Sequence, residues 1–469
     1  MGSSALKAAE ETRKTASKRK TENFTKERFY HVGSEVTIIK VRKVLSPGPI
    51  FPPPPIPLLR QTDAPNYHPL MRTFILSLLL AFHSHAAQPK LAAQAVNEHA
   101  FALFQLFRPL TEGNFCFSPF SSHQMAALLM TAADGDSRKE LAALAHLKGD
   151  SAKETEDLSA MRSALADTVR RGSLTMEITN SLWAASPATF EPGFLSSSQT
   201  LFGASLQKLT AGNATASAAA VNLWVREKTR GRIPQIVGPS SFSDPAKSVV
   251  AVNTLFLKGR WKSPFELEKT KPRAFHTPEK GTVMLPMMLQ FAESPHYAES
   301  ESWQFITMPM TDHEVHMLVL LPRNEAARKK IEAGLTLEHW KSIQNQNADC
   351  DVNLMLPRFG YSTQLSLKAL WHTLGVKSLF QTDTANLSKG LPGGGYFISD
   401  VAHEAMIEVN ELGAEAAAAS AVPADPFGDA PPAPPKRRIV TFNANRPFIW
   451  ALQHDTTGLI LFMGRYAGS

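Results

Sequence analysis

The chain is 469 residues long, with 43% hydrophobic and 19% charged residues, the balance of a protein that buries a sizeable core. Its formal charge of +7 is concentrated at one end: residues 1–70 carry six more basic than acidic residues and Arg72 adds one, so the remainder is neutral. That distribution argues against a nucleic-acid surface on the folded part, since binding phosphates needs clustered excess cations.

Residues 1–45 are charged and mixed, with Lys18-Arg-Lys20 as the densest basic cluster; they read as a solvated tail. Pro52-Pro-Pro-Pro55 makes residues 46–69 an extended linker. Residues 1–70 together are thus expected to be a disordered, Pro-rich extension. Met71-Arg72, the apolar run Phe74-Ile-Leu-Ser-Leu-Leu-Leu-Ala-Phe82 and the mostly small Ser84-His-Ala-Ala87 have the layout of a secretory signal peptide over 71–87. The run is too short to cross a bilayer. Translation starting at Met71 would place residues 1–70 upstream, and the expectation is a secreted, extracellular protein.

From residue 88 on, the elements are those of a folded domain. Ala92 to Leu110 reads as a helix with Val96, Leu103, Phe104 and Phe107 near one face. Asn114-Phe-Cys-Phe-Ser-Pro-Phe-Ser-Ser122 predicts a short strand running into a Ser-Pro helix start. Helices rich in Ala, Leu, Glu and Arg follow to about Arg170. Strand patterns at Leu174–Trp183 and Ser248–Leu257 flank a helix predicted over Ala218–Val237. Beyond Met284 strands dominate, as in His316–Leu321 and Gly458–Met463. Helices first and strands later, with little βαβ alternation, predict an α+β fold.

Two cysteines supply neither a disulfide framework nor a metal set. Cys116, in an apolar run, reads as a small buried hydrophobe; Cys350, in a polar stretch, reads as exposed. Asp312-His-Glu-Val-His316 lies in a strand pattern and lacks helical zinc spacing, so no metal and no cofactor is expected. The chain has no Gly-x-Ser-x-Gly, Cys-x-x-Cys or Gly-Lys-[Ser/Thr] motif, which leaves a catalytic reading unsupported.

Near the end comes Glu408-Val-Asn-Glu-Leu-Gly-Ala-Glu-Ala-Ala-Ala-Ala-Ser420. It opens as a strand, with Ala405, Ile407 and Val409 alternating against Met406, Glu408 and Asn410, and Gly413 permits a hinge. The following residues have almost no bulk, and the prolines from Pro423 to Pro435 deny them a clean helix stop. A surface helix and a mobile, insertable segment both fit these residues.

Val401–Ser420 resembles the hinge of the serpins, the serine protease inhibitors, and the likeness continues through residues 92–467. Asn114–Ser122 is similar to the family's Phe-Ser-Pro-x-Ser signature. Val221–Pro234, Val252–Phe265, Leu285-Pro-Met-Met288, Leu356-Pro-Arg-Phe359, Thr441–Phe448 and Thr456–Gly464 match further family stretches in order. The resemblance implies helices packed on a large mixed sheet that opens to take an exposed loop, here about 412–438, as a new central strand. Loop insertion by serpins is itself one of the standard examples of strand addition. It implies a hinge over Gly413, Ala414, Glu415, Ala416, Ala417, Ala418 and Ala419, with Ala414 facing inward and Glu415 outward. It implies a polar cluster of Ser118, Ser121, Asn253 and His403 beneath the opening sheet, and Trp261 where the loop first enters. Read from the residues alone, Ser118 and Ser121 are helix caps, His403 a satisfied core histidine and Trp261 plain core packing. The family's spacing, counted forward from Gly413, puts the attacked bond at Phe427–Gly428. The activity implied is irreversible inhibition of a chymotrypsin-like serine protease by a monomer that is not itself an enzyme; a non-inhibitory binding or carrier protein is the alternative.

Overall fold

The computed structural model describes residues 25–43, 89–412 and 437–468, apart from short stretches at 33–34, 148–150, 172–173, 210–211 and 311–313. The hinge from Gly413 to Ala419, the pair Phe427–Gly428 and the apolar run 74–82 lie outside the described residues.

Among the described residues, three sheets and a set of helices make up an α+β fold. The largest sheet has seven strands in the order β1-β2-β13-β14-β6-β4-β5. Its members are β1 (Thr25–Val32), β2 (Glu35–Lys43), β4 (Leu174–Ala185), β5 (Ala204–Leu209), β6 (Ser248–Gly259), β13 (Phe359–Ser366) and β14 (Phe397–Val409). A six-stranded sheet contains β3 (Phe115–Phe117), β9 (Tyr297–Glu299), β10 (Trp303–Pro309), β11 (Val315–Pro322), β16 (Phe448–His454) and β17 (Leu459–Tyr466). A four-stranded sheet holds β7 (Lys271–Thr277), β8 (Gly281–Ala292), β12 (Cys350–Pro357) and β15 (Arg438–Asn443). Helix α2 (Pro119–Ala132) packs between the two larger sheets, against β6 and β17, and α1 (Pro89–Phe107) packs beside it on β17; nearly every residue of α2 is buried, its polar Ser121, Ser122, His123 and Gln124 included. Ser118 caps α2 by accepting the Ser121 N–H at 3.0 Å, and Pro119 occupies the first turn, where a missing N–H costs nothing. Gly464 lets β17 run hard against β3: a Cβ there would sit 2.3 Å from the Phe115 carbonyl oxygen.

Three expectations need correction. Part of the supposedly disordered extension is structured: β1 and β2 form an antiparallel hairpin, and β2 pairs with β13 from Tyr361↔Lys43 to Gln364↔Lys40, with Ile39 buried. The alternation in Glu35–Lys43 is weak, and what holds it is an open sheet edge offering unpaired backbone groups. The helix predicted to reach Val237 is α6 (Ala214–Lys228) and stops early, because Arg230 and Gly231 take left-handed conformations (φ 51° and 78°) ahead of Pro234. Cys350 is buried, because β12 turns Cys350, Val352, Leu354 and Leu356 inward together. Both cysteines are free.

Candidate functional site

Strands β14 and β6 lie side by side at the centre of the large sheet and run parallel, in register from Phe397↔Ser248 to Ile407↔Leu257. Both faces of β14 are buried, as a central parallel strand requires, although its sequence alternates only weakly. On one face sit α2 and β3. On the other, α6 and the irregular segment after it lay Ile233, Ile236, Val237 and Phe242 over Val250, Val252 and Ala402, so this segment roofs the seam between β6 and β14.

Beneath the seam the sequence-predicted polar residues meet. The Ser118 N–H donates to His403 Nε2 at 3.3 Å, which requires an unprotonated Nε2 and places the ring proton on Nδ1. That Nδ1–H then donates to Asn253 Oδ1 at 2.7 Å. Asn253 Nδ2 donates to Asn180 Oδ1 at 2.6 Å, and Asn180 Nδ2 to the Phe202 carbonyl at 3.2 Å. Burial lowers the His403 imidazole to about 3, so it is neutral at physiological pH. The chain thus crosses from α2 through β14 and β6 to β4 with each donor matched to an acceptor. Ser118 also donates its hydroxyl to the Leu461 carbonyl at 2.8 Å, so it serves both as cap and as link. Ser121 adds its backbone N–H to the cap, while its buried hydroxyl has no hydrogen-bond partner. Asn180 was not anticipated, yet it had a signal: an amide inside the apolar strand pattern Ile178–Trp183 must be satisfied by something.

At the upper end of the seam, Trp261 receives the residues that leave β14. Its indole Nε1–H donates to the Asn410 carbonyl at 2.8 Å, and its backbone N–H to the Leu412 carbonyl at 3.3 Å. Phe265 N–H donates to the Glu411 carbonyl at 2.8 Å, and the Glu411 carboxylate lies 3.4 Å from Arg358. Trp261 is itself buried and packs edge-on against Phe265. At the other side, where the chain re-enters the fold, Arg437 pairs with Asp349 at 3.0 Å and Arg438 with Glu299. Arg438 already belongs to β15, parallel to β12. Among the described residues, no three His, Cys, Asp or Glu side chains converge on a metal position.

Comparison with known proteins agrees with this architecture. A family model described as "Serpin (serine protease inhibitor)" matches residues 94–468. The human leukocyte elastase inhibitor is 33% identical over 382 residues, 78% of this chain and 97% of that protein. The antitrypsin of Bombyx mori is 30% identical over 404 residues, 84% of this chain and 99% of its own. Native protease nexin-1, solved with heparin, superposes with a TM-score of 0.70 at 21% identity, over 81% of this chain and all of that one. The leukocyte elastase inhibitors also overturn the expectation of secretion, being intracellular serpins without signal peptides. The hairpin adds a physical reason: the apolar run 74–82 lies between two parts of one fold, β2 and α1, and cleavage after it would sever the large sheet from two of its own strands, β1 and β2. From its matched family model, its relatives and its three-sheet architecture, the chain belongs to the serpin family.

Proposed function

We propose that the chain is a suicide-substrate inhibitor of a serine protease with an apolar, chymotrypsin-like specificity pocket, acting as a monomer and attacked at Phe427–Gly428. The observation that carries this reading is the direction of the seam strands. Because β14 and β6 are parallel, a segment that turns back from the end of β14 and enters between them runs antiparallel to both. One parallel ladder is exchanged for two antiparallel ones, each slightly stronger per residue. The protease serine opens the loop by forming an acyl-enzyme; the loop then inserts and carries the attached protease away before water can release it. Gly413 to Ala419 are small enough to slip between packed strands, and Ala414 enters first on the inward side.

The polar chain suits a seam that must part. Asn253 and His403 offer each other groups that an incoming strand can replace, so opening exchanges hydrogen bonds instead of abandoning them. Ser118 fixes the His403 tautomer, and Trp261 holds the stem at the point of entry. The engagement of Arg437 and Arg438 supports attack upstream of the basic cluster, because both side chains are tied to carboxylates where the chain rejoins the fold. Pro431 to Pro435 point the same way, since none of these prolines can donate to a ladder.

The test is incubation with chymotrypsin-like, elastase-like and trypsin-like proteases, with denaturing electrophoresis and mass spectrometry of the released peptide. A stable covalent complex and a peptide beginning at Gly428 are expected. Stable complex with a peptide beginning at Arg437, Arg438 or Ile439 moves the attacked bond; cleavage without any complex selects the non-inhibitory alternative.

A further inference from the structure

The mechanism above leaves unused a buried carboxylate in the middle of the sheet. Glu404 follows His403 on β14, so its side chain points to the opposite face, beneath the roof of the seam. It is completely buried, and neither carboxylate oxygen has a hydrogen bond of good geometry. The register sets Lys40, Gln364 and Glu404 in one row across β2, β13 and β14. Burial pushes the Glu404 carboxyl up to about 7, against the opposing pull of Arg42, the Ser362 hydroxyl and Lys40. The remaining neighbours in that row, Gln364 on β13 and Thr254 on β6, are neutral. On the same face of β14, Asp400 accepts from the Ser241 and Ser366 hydroxyls at 2.5 Å each, and burial raises its carboxyl too; Glu177 on β4 is paired with Arg232 and Arg230 at 2.6 and 3.5 Å.

The same hairpin reaches the roof. Arg42 donates to Gln364 Oε1 at 2.8 Å and to the Gln235 carbonyl at 3.4 Å, while Gln364 donates its amide to the Ile236 carbonyl at 2.8 Å. Ile236 is one of the roof residues over the seam. A strand cannot enter between β14 and β6 without displacing this segment.

We propose that the hairpin Thr25–Lys43 is a strap that ties down the roof of the seam, with ionised Glu404 as the catch for its Lys40 and Arg42. The strap bears on trapping, and so rests on that reading, because the seam must open within the life of the acyl-enzyme. With the hairpin detached, ionised Glu404 would face the low-dielectric interior without the opposing pull of Lys40 and Arg42, and the roof would lose its Arg42 hydrogen bond. Charge on Glu404 and docking of the hairpin therefore favour one another, as linkage requires.

The test uses the full chain and no protease, so its failure leaves the trapping reading intact. Hydrogen exchange of residues 233–242 and of the β14 and β6 amides is compared between wild type and K40Q/R42Q, at pH 8 and pH 5.5, as a variant-to-wild-type ratio at each pH. At pH 8 the variant should exchange about tenfold faster, the equivalent of one pKa unit of lost counter-charge. At pH 5.5, with Glu404 protonated, the ratio should fall to no more than about twofold, the share left to the Arg42 hydrogen bonds. In the E404Q background the ratio should stay near that lower value at both pH values. A ratio of one throughout would show that the hairpin is no strap, and equal ratios at both pH values, or a tenfold ratio persisting in E404Q, would show that Glu404 is not its catch.

Discussion

The upper end and the middle of the β6/β14 seam are built on different principles. At the upper end, the stem is held by three hydrogen bonds to backbone carbonyls, one ion pair and the packing of Trp261. Under the middle, a continuous file of side-chain hydrogen bonds runs from Ser118 through His403, Asn253 and Asn180 to Phe202. The upper anchor, a set of separate contacts around one buried indole, gives way progressively as they are lost. A buried polar file must be either fully satisfied or replaced, because each orphaned group costs about 1–3 kcal/mol. On the proposed trapping reading, the upper end would set where a strand begins to enter, and the middle would act as a checkpoint for a strand that carries its own donors and acceptors.

The largest test of that division is clean cleavage within the loop. If insertion follows, two antiparallel ladders replace one parallel ladder, and the midpoint of thermal unfolding should rise by more than about 10 °C, since 1 kcal/mol is worth only about 2 °C or less in a chain of this size. Calorimetry of intact and cleaved protein reads it directly, and coincident transitions would mean that the seam does not accept the loop. Next in size is Trp261→Ala, which removes a buried indole and the Asn410 hydrogen bond. Loss of about 3–5 kcal/mol is expected in urea unfolding, with exchange accelerated first at Asn410–Leu412. If exchange accelerates equally beneath the middle of the seam, the upper end and the middle are not separable.

Asn253→Ala addresses the middle. It leaves the His403 Nδ1–H and the Asn180 Oδ1 without their partners, and it should cost about 2–4 kcal/mol, beyond the loss for an exposed asparagine. A loss within about 0.5 kcal/mol of zero in the same urea titration would show that the file contributes no stability in the closed sheet. The last effect, the smallest for a single pH step, is in acid. His403 is neutral in the fold, and its imidazole is held at about 3 against about 6.5 in the unfolded chain. Only the unfolded chain takes up that proton between those values, so the contribution is intact above pH 6.5 and is lost as pH falls toward 3. His99 and His123, also lowered by burial, act in the same sense. Glu404 opposes them, its raised carboxyl costing stability as pH rises from the unfolded carboxyl value through 7. His403→Gln should therefore flatten stability against pH by about 1.4 kcal/mol per pH unit, one proton's worth, within the acid window. An unchanged slope in urea titrations at pH 4, 5 and 6 would place the His403 proton elsewhere.

The contrast also explains what could be read without coordinates. Ser118, Asn253, His403 and Trp261 were accessible because each lies in a stretch that resembles a serpin motif; read from the residues alone they are a helix cap, a strand amide, a core histidine and core packing. Asn180 and Glu404 were overlooked, since a polar residue in a strand declares its importance only when both faces of that strand are known to be buried. Cys350 was placed outside for the same reason: its sequence neighbours are polar, but strand parity turns it inward.

Local chemistry in the sequence alone determined the order of helices and strands and the cap at Ser118. These depend on propensity and spacing over a few residues, and those are written along the chain. Only the tertiary structure decided which strands became neighbours: that β14 lies parallel to β6, that a charged segment near the start of the chain closes the edge of β13, and that Lys40 and Arg42 come to face Glu404 across more than three hundred residues. Such pairings rest on unpaired sheet edges and buried charges meeting in space, and neither leaves a periodic trace in the residues that make them.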